Sequence, residues 1–198
     1  MDTFRYLVRF LYRIRWYLAT LPLIALVVAF LSTRNMEHNY DTNTTIYTGM
    51  ITSYNIEGGS GAAGGNPQAN INNLMLIIST DNTIHEVSLR LFARCMMYGN
   101  PNRDNNYISA EHFRQLNESV PTDVKALINR NSETATYANL KAYEKPMQSN
   151  YVFGILNYHP YFGIDNITSR LKVSQLSGSD IINISYSAND AGVAYNTL

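Results

Sequence analysis

The sequence has one cysteine, few charges and no metal spacing, and each shortage narrows what it can be. Cys95 has no second cysteine to pair with, so an intramolecular disulfide is excluded and packing has to hold the fold. Within "LRLFARCMMYG" it reads as a small buried hydrophobe. Charged residues make up 15% of the chain, and 15 basic side chains balance 15 acidic ones. No bulk field of either sign is available to attract nucleic acid or an acidic partner. The four histidines, His38, His85, His112 and His159, lack metal-ligand spacing; "HEVSL" begins like the zinc-protease H-E-x-x-H and then places Leu89 where the second histidine belongs. No nucleophile with a base and no pair of acids stands out either. The expectation is a chain that is not itself an enzyme, with no catalytic residue, metal or cofactor. There is no internal repeat.

What the chain does have is an uneven charge distribution. Arg5, Arg9, Arg13 and Arg15 precede residue 16, and Arg34 is the only basic residue between there and Arg90. Between those arginines and Arg34 lies "WYLATLPLIALVVAFLST", residues 16–33, which carries no charge. At 1.5 Å per residue it spans roughly 25 Å, close to a hydrocarbon core of about 30 Å. Flanking arginines can snorkel, and Trp16 and Tyr17 suit the interfacial belt, so residues 16–33 read as one transmembrane helix, with Pro22 tolerated inside it. Phe4, Leu7, Val8, Leu11 and Ile14 recur at helical spacing opposite Arg5, Arg9 and Arg13, an amphipathic pattern suited to anionic membrane lipids. The arginine excess assigns residues 1–15 to the cytoplasm and residues 34–198 to the far side. Cleavage as a signal peptide is disfavoured, because Phe30 and Leu31 stand where small residues belong.

Beyond the membrane segment, residues 39–56 are rich in Thr, Tyr and Ile and read as a strand. "EGGSGAAGGNPQAN" follows, with Gly59, Gly61 and Gly64 in G-x-G-x-x-G spacing. Asn66-Pro67 interrupts the helix that a dinucleotide site requires, and no Lys follows for a phosphate loop, so a contact-making loop is the better reading of 58–65. Residues 70–98 carry apolar residues at helical spacing with a break at Ser79–Asn82, which predicts two helices. Short amphipathic helices are expected at "AEHFRQL", at "PTDVKALINR" and, closed by Pro146, at "SETATYANLKAYEKP". Tyr151, Phe153, Tyr158, Tyr161 and Phe162 form an aromatic cluster, more often packing than sugar-stacking. "ITSRLKVSQLSGSDIINISYS" reads as two strands joined at Ser177-Gly178-Ser179, with Ile182, Ile184 and Tyr186 on one face. Ser187 and Asp190, three apart, resemble a capping box that starts a final helix. So short a helix is marginal alone, so the chain is expected to be the front part of something longer. The sum is an α+β fold: an interfacial and transmembrane helix, then a small mixed sheet packed against several helices, with residues 39–54 joining the late strand pair.

Three stretches together resemble the N-terminal part of the Wzz-type chain-length determinants, or polysaccharide co-polymerases, in their Bacteroidetes-like form. They are the arginine-rich tail and membrane helix followed by "YDTNTTIYTGMI"; "YNIEGGSG" followed by "INNLMLIISTDNTIHEVSLRLFAR"; and "SGSDIINISYSANDAGVAYNTL", where the family's usual Asp-Pro is Asp190-Ala191. The resemblance implies a bacterial inner-membrane protein with a cytoplasmic N-terminus and a periplasmic bulk. It also implies a homo-oligomer that regulates how far a polymerase or export machine extends an exopolysaccharide, capsule or O-antigen, with a glycan as a further partner and, in some members, a fused or partner tyrosine kinase. On this reading Arg5, Arg9, Arg13, Arg15, Trp16 and Tyr17 orient the protein in the membrane, and the helices of residues 70–98 pack subunits together. The alternative is a single-pass, membrane-anchored periplasmic sensor with a ligand cleft lined by Tyr151, Tyr158 or Tyr161.

Overall fold

The computed structural model describes residues 2–34, 38–49, 67–145 and 150–198; within them, the side chains of 2–12, 15, 17–19, 34 and 67 lie outside the described set. The Gly-rich stretch 58–65 and Pro146 fall outside the described residues, as does the part of the expected strand 39–56 beyond Gly49. The chain divides into two units, Met1–His38 and Asn39–Leu198.

The first unit is α1, Asp2–Arg34, a 33-residue helix with Pro22 inside it. One helix therefore runs through what the sequence suggested were an interfacial and a membrane segment. Every described side chain from Thr20 to Thr33 is exposed. Among the described residues no helix is long and apolar enough to cross a membrane. The described side chains of the apolar half begin in earnest only at Thr20, short of the roughly 20 residues that a span takes.

In the second unit the described residues form three strands: β1 (Tyr40–Tyr47), β2 (Leu171–Gln175) and β3 (Ile181–Ala188). Their order is β1-β3-β2, and both pairings are antiparallel, so the sheet is not mixed as expected. The reason lies in the connections. β2 and β3 form a hairpin whose turn uses Gly178 at φ 69°, and the long excursion after β1 returns to the far side of β3. Burial along β3 alternates residue by residue, with Ile182, Ile184, Tyr186 and Ala188 buried, as the sequence pattern predicted.

Among the described residues of this unit there are also eight helices: α2 (Pro67–Ile78), α3 (Asp81–Tyr98), α4 (Ala110–Ser119), α5 (Thr122–Ala126), α6 (Glu133–Tyr143), α7 (Tyr151–Tyr158), α8 (Ile164–Arg170) and α9 (Ala191–Thr197). α2 and α3 separate at Ser79-Thr80, where Thr80 caps α3 by accepting from the Thr83 N–H. Ile71 of α2 packs on Ile182 and Ile184 in a small satellite core. α3 is the central helix, and Ile84, Leu89, Leu91, Phe92, Ala93, Cys95 and Met96 lie in the main core with Phe113, Leu140, Leu156, Phe162 and Ile167. Half of α3 is thus committed to the core, and the exposed large apolar side chains of the pair are Leu76 and Ile77 on α2 and Tyr98 at the end of α3.

Two local expectations change. The strand expected from Ile167 begins only at Leu171, because Gly163 opens a helical turn with Ile167 N–H bonding its carbonyl at 2.9 Å and buries Ile167. The final helix is capped by Asp190, not by Ser187, which remains in β3. The Ser187 hydroxyl donates across to the Asp41 carboxylate instead.

Candidate functional site

The residues predicted to orient the chain all belong to α1. Trp16 is exposed, and Leu21 and Leu26 are each 69% exposed, as Phe30 is at 61%. A helix apolar on every side has no face to present to water, and such helices are buried in a core or a bilayer. Its polar groups are turned inward: Thr20 and Thr33 donate to the carbonyls of Trp16 and Ala29, each at 2.8 Å. Hydroxyls satisfied by their own helix present little cost to an apolar surrounding. The side chains of Arg5, Arg9, Arg15 and Tyr17 lie outside the described set.

Sequence reasoning missed the principal polar cluster of the second unit, which is built on Asp190. This carboxylate is 2% exposed, and both of its oxygens are engaged. Oδ1 accepts from the N–H groups of Gly192 and Val193 at 2.9 and 3.1 Å, capping α9. Oδ2 accepts from Ser109 N–H at 2.9 Å and from His112 Nδ1 at 2.7 Å. Because an ionised carboxylate only accepts, Nδ1 carries the proton, and in the neutral ring Nε2 is left to accept from the Tyr161 phenol at 3.0 Å. Burial pushes the Asp190 carboxyl up, but the bonds from His112, Ser109 and Val193 outweigh it and hold it below its ordinary value. The partners lie 78 and 49 positions apart, so no spacing could have signalled them.

Aspartate, histidine and a hydroxyl invite comparison with a nucleophile triad, and the geometry argues against it. The Ser109 hydroxyl lies 2.9 Å from Nδ1, the same ring nitrogen that Asp190 holds, whereas the hydroxyl activated in a triad sits on the opposite nitrogen. There the partner is a phenol. The cluster fastens three separate elements: the start of α4, the loop after α7 and the cap of α9. His159 supports it, accepting from Tyr161 N–H at 3.1 Å and stacking on Phe162 at 4.6 Å between ring centroids. Its burial pushes the imidazole down to about 4.

The other histidine and cysteine positions resolve into packing. His85 bonds the Glu144 carboxylate at 2.7 Å. Cys95 is buried and its thiol is pushed up by that burial, the opposite of what a reactive cysteine needs. Among the described residues no group of three His, Cys, Asp or Glu side chains could hold a metal. On the surface between α3 and α6, Glu86 accepts from Lys141 and Tyr137, and Arg90 lies 4.4 Å from the centre of the Tyr137 ring. The bond from Lys141 holds the Glu86 carboxyl below its ordinary value.

The aromatic residues of 151–162 make separate contacts. Tyr151 bonds Ser119, Tyr161 bonds His112, Phe162 is buried, and Tyr158 is 81% exposed. A concave feature lies elsewhere, a cavity of about 330 Å³ bounded by β1, Arg94 of α3 and Tyr195 and Asn196 of α9. No protein-family profile, curated protein or solved structure matches the chain.

Proposed function

We propose that the protein is an inner-membrane polysaccharide co-polymerase of the Wzz type. α1 anchors it with Arg5, Arg9, Arg13 and Arg15 on the cytoplasmic side, and the second unit stands in the periplasm. There it self-assembles and sets how far a partner polymerase or export machine extends an exopolysaccharide, capsule or O-antigen. It performs no bond chemistry of its own.

The observation that carries this reading is the register of β1 on β3. Tyr40, the first strand residue after α1, stands opposite Ala188, which is followed almost at once by the cap of α9. The chain thus enters and leaves the sheet at the same end, as suits a domain tethered there by a membrane segment. The exposed apolar half of α1 supports the anchor, and the Asp190 cluster supports an architectural role over catalysis. A sensor would call for a cleft lined by Tyr151, Tyr158 or Tyr161; Tyr151 and Tyr161 bond Ser119 and His112 instead, and Tyr158 is exposed.

The test is the length distribution of the surface polysaccharide, resolved by gel electrophoresis, from the source cells with and without the gene. Loss of the modal length on deletion, and its return on re-expression, is expected. A distribution unchanged by deletion would rule the function out.

A further inference from the structure

The cavity of about 330 Å³ lies against the inner face of the sheet. Thr42 and Thr44 stand opposite Tyr186 and Ile184 in the register of β1 on β3, and residues opposed in a sheet put their side chains on one face. That is the face on which α9 packs, because Val193 and Ala194 share the main core with Tyr186. The cavity therefore has β1 as one wall, Tyr195, Asn196 and Leu198 at the end of the chain as another, and Arg94 of α3 as a third. Its volume falls at the small end of the range of about 300–1,000 Å³ typical of ligand pockets.

The lining is rich in polar groups that the fold leaves unused. The hydroxyls of Thr42 and Thr44 and the side-chain amide of Asn43 make no hydrogen bond among the described residues. Asn196 Nδ2 donates to the carbonyls of Asn106 and Gly192 at 2.6 and 2.8 Å, which fixes its amide and leaves Oδ1 to accept. Arg94 donates through Nε to the Glu133 carboxylate at 2.9 Å, so its charge is offset, and its Nη groups have no bond among the described residues. Tyr195 is 72% exposed, and neither its ring nor its phenol has a partner among the described residues. The set comprises hydroxyls, amides, guanidinium N–H groups and one aromatic face, with the single cation balanced by its neighbour.

We infer that this cavity binds one neutral sugar residue of a polysaccharide. A pyranose ring has an apolar face of C–H groups and a rim of hydroxyls that both donate and accept. The exposed ring of Tyr195 matches the face, and Thr42, Asn43, Thr44, Asn196 and the Arg94 Nη groups match the rim. An anion would meet Glu133 beside the one cation, and a purely apolar ligand would leave the threonine and asparagine groups without partners. That the sugar belongs to a chain rests on the co-polymerase reading; the fit to a sugar ring does not.

The probes are the methyl glycosides of glucose, galactose, mannose, rhamnose and N-acetylglucosamine, added at millimolar concentration to the full chain in detergent micelles and read by saturation-transfer NMR. Transfer to the ring C–H protons of at least one is expected. Its affinity should fall about tenfold with Tyr195→Ala and be retained with Tyr195→Phe, which keeps the ring; both variants should keep the urea midpoint, because the side chain is exposed. Thr44→Val, similar in shape and lacking the hydroxyl, should weaken binding about fivefold. The methyl glycoside of glucuronic acid should bind no more tightly than that of glucose. A linear oligosaccharide of the bound sugar should bind more tightly than its methyl glycoside; equal affinity would assign the site to a free sugar and overturn the polysaccharide as occupant. Absence of transfer to every glycoside, or transfer indifferent to both Tyr195→Ala and Thr44→Val, overturns the proposal. Sugar binding that persists while deletion leaves the surface polysaccharide unchanged removes the co-polymerase reading alone.

Discussion

At the residue scale, Asp190 joins distant parts of the chain, one buried carboxylate satisfying four donors from two separate segments. Asp190→Ala removes the cap of α9 and leaves His112 and the Ser109 N–H without their acceptor. It should lower stability by about 2–4 kcal/mol in urea unfolding followed by tyrosine fluorescence. The pH dependence has two components. The Asp190 carboxyl lies below its ordinary 3.8 in the folded chain, so its contribution is complete above that value and is lost as pH falls through the lower, folded one. His159 drops from 6.5 to about 4 on folding. The unfolded chain therefore takes up the proton first, and stability declines as pH falls from about 6.5 towards 4. His159→Asn keeps an acceptor near the Tyr161 N–H and does not titrate, so the slope of unfolding free energy in that window should flatten. An unchanged slope would remove His159 from the account.

At the scale of elements, the alternation along β3 and the break between α2 and α3 were legible because each is a local pattern with one physical reading. The strand's period of two puts Ile182, Ile184 and Tyr186 on one face, and Thr80 is a good helix cap. α8 was not legible: Ile164, Ile167 and Thr168 have strand-like side chains, and only the tertiary burial of Ile167 decides for a helix. The cap of α9 was misplaced because Ser187 and Asp190 are both good caps, and the choice depends on how far β3 pairs with β1, a long-range fact. The Asp190 cluster depends on three distant segments meeting, which composition and spacing do not encode. α9 also sits against the loop before α4 with no room to spare. A Cβ on Gly192 would meet the Tyr107 carbonyl carbon at 2.4 Å and the Ile108 nitrogen at 2.6 Å, both backbone atoms. Gly192→Ala should therefore cost about 1–3 kcal/mol, read as a lower urea midpoint, because backbone cannot swing aside as a side chain can. Gly154→Ala, where the added carbon meets nothing within 4 Å, is the neutral control.

At the scale of the molecule, the two units follow different physics. The second is an ordinary packed α+β domain with α3 at its centre and a three-stranded antiparallel sheet at its flank. The first is one helix whose described apolar side chains from Leu21 to Leu31 are exposed. Composition separated the two stretches, since residues 16–33 are uncharged and mostly apolar whereas the rest of the chain carries mixed charge. What composition does not specify is assembly, because an oligomer face and a core face have the same periodicity; the exposed large apolar side chains of the α2 and α3 pair are Leu76 and Ile77 of α2 and Tyr98 of α3. The central claim, a self-assembling co-polymerase, is tested most directly by the mass of the detergent-solubilised protein in light scattering, corrected for bound detergent. A discrete assembly of many subunits is predicted. A species of 22.4 kDa, one copy of this chain, would contradict it.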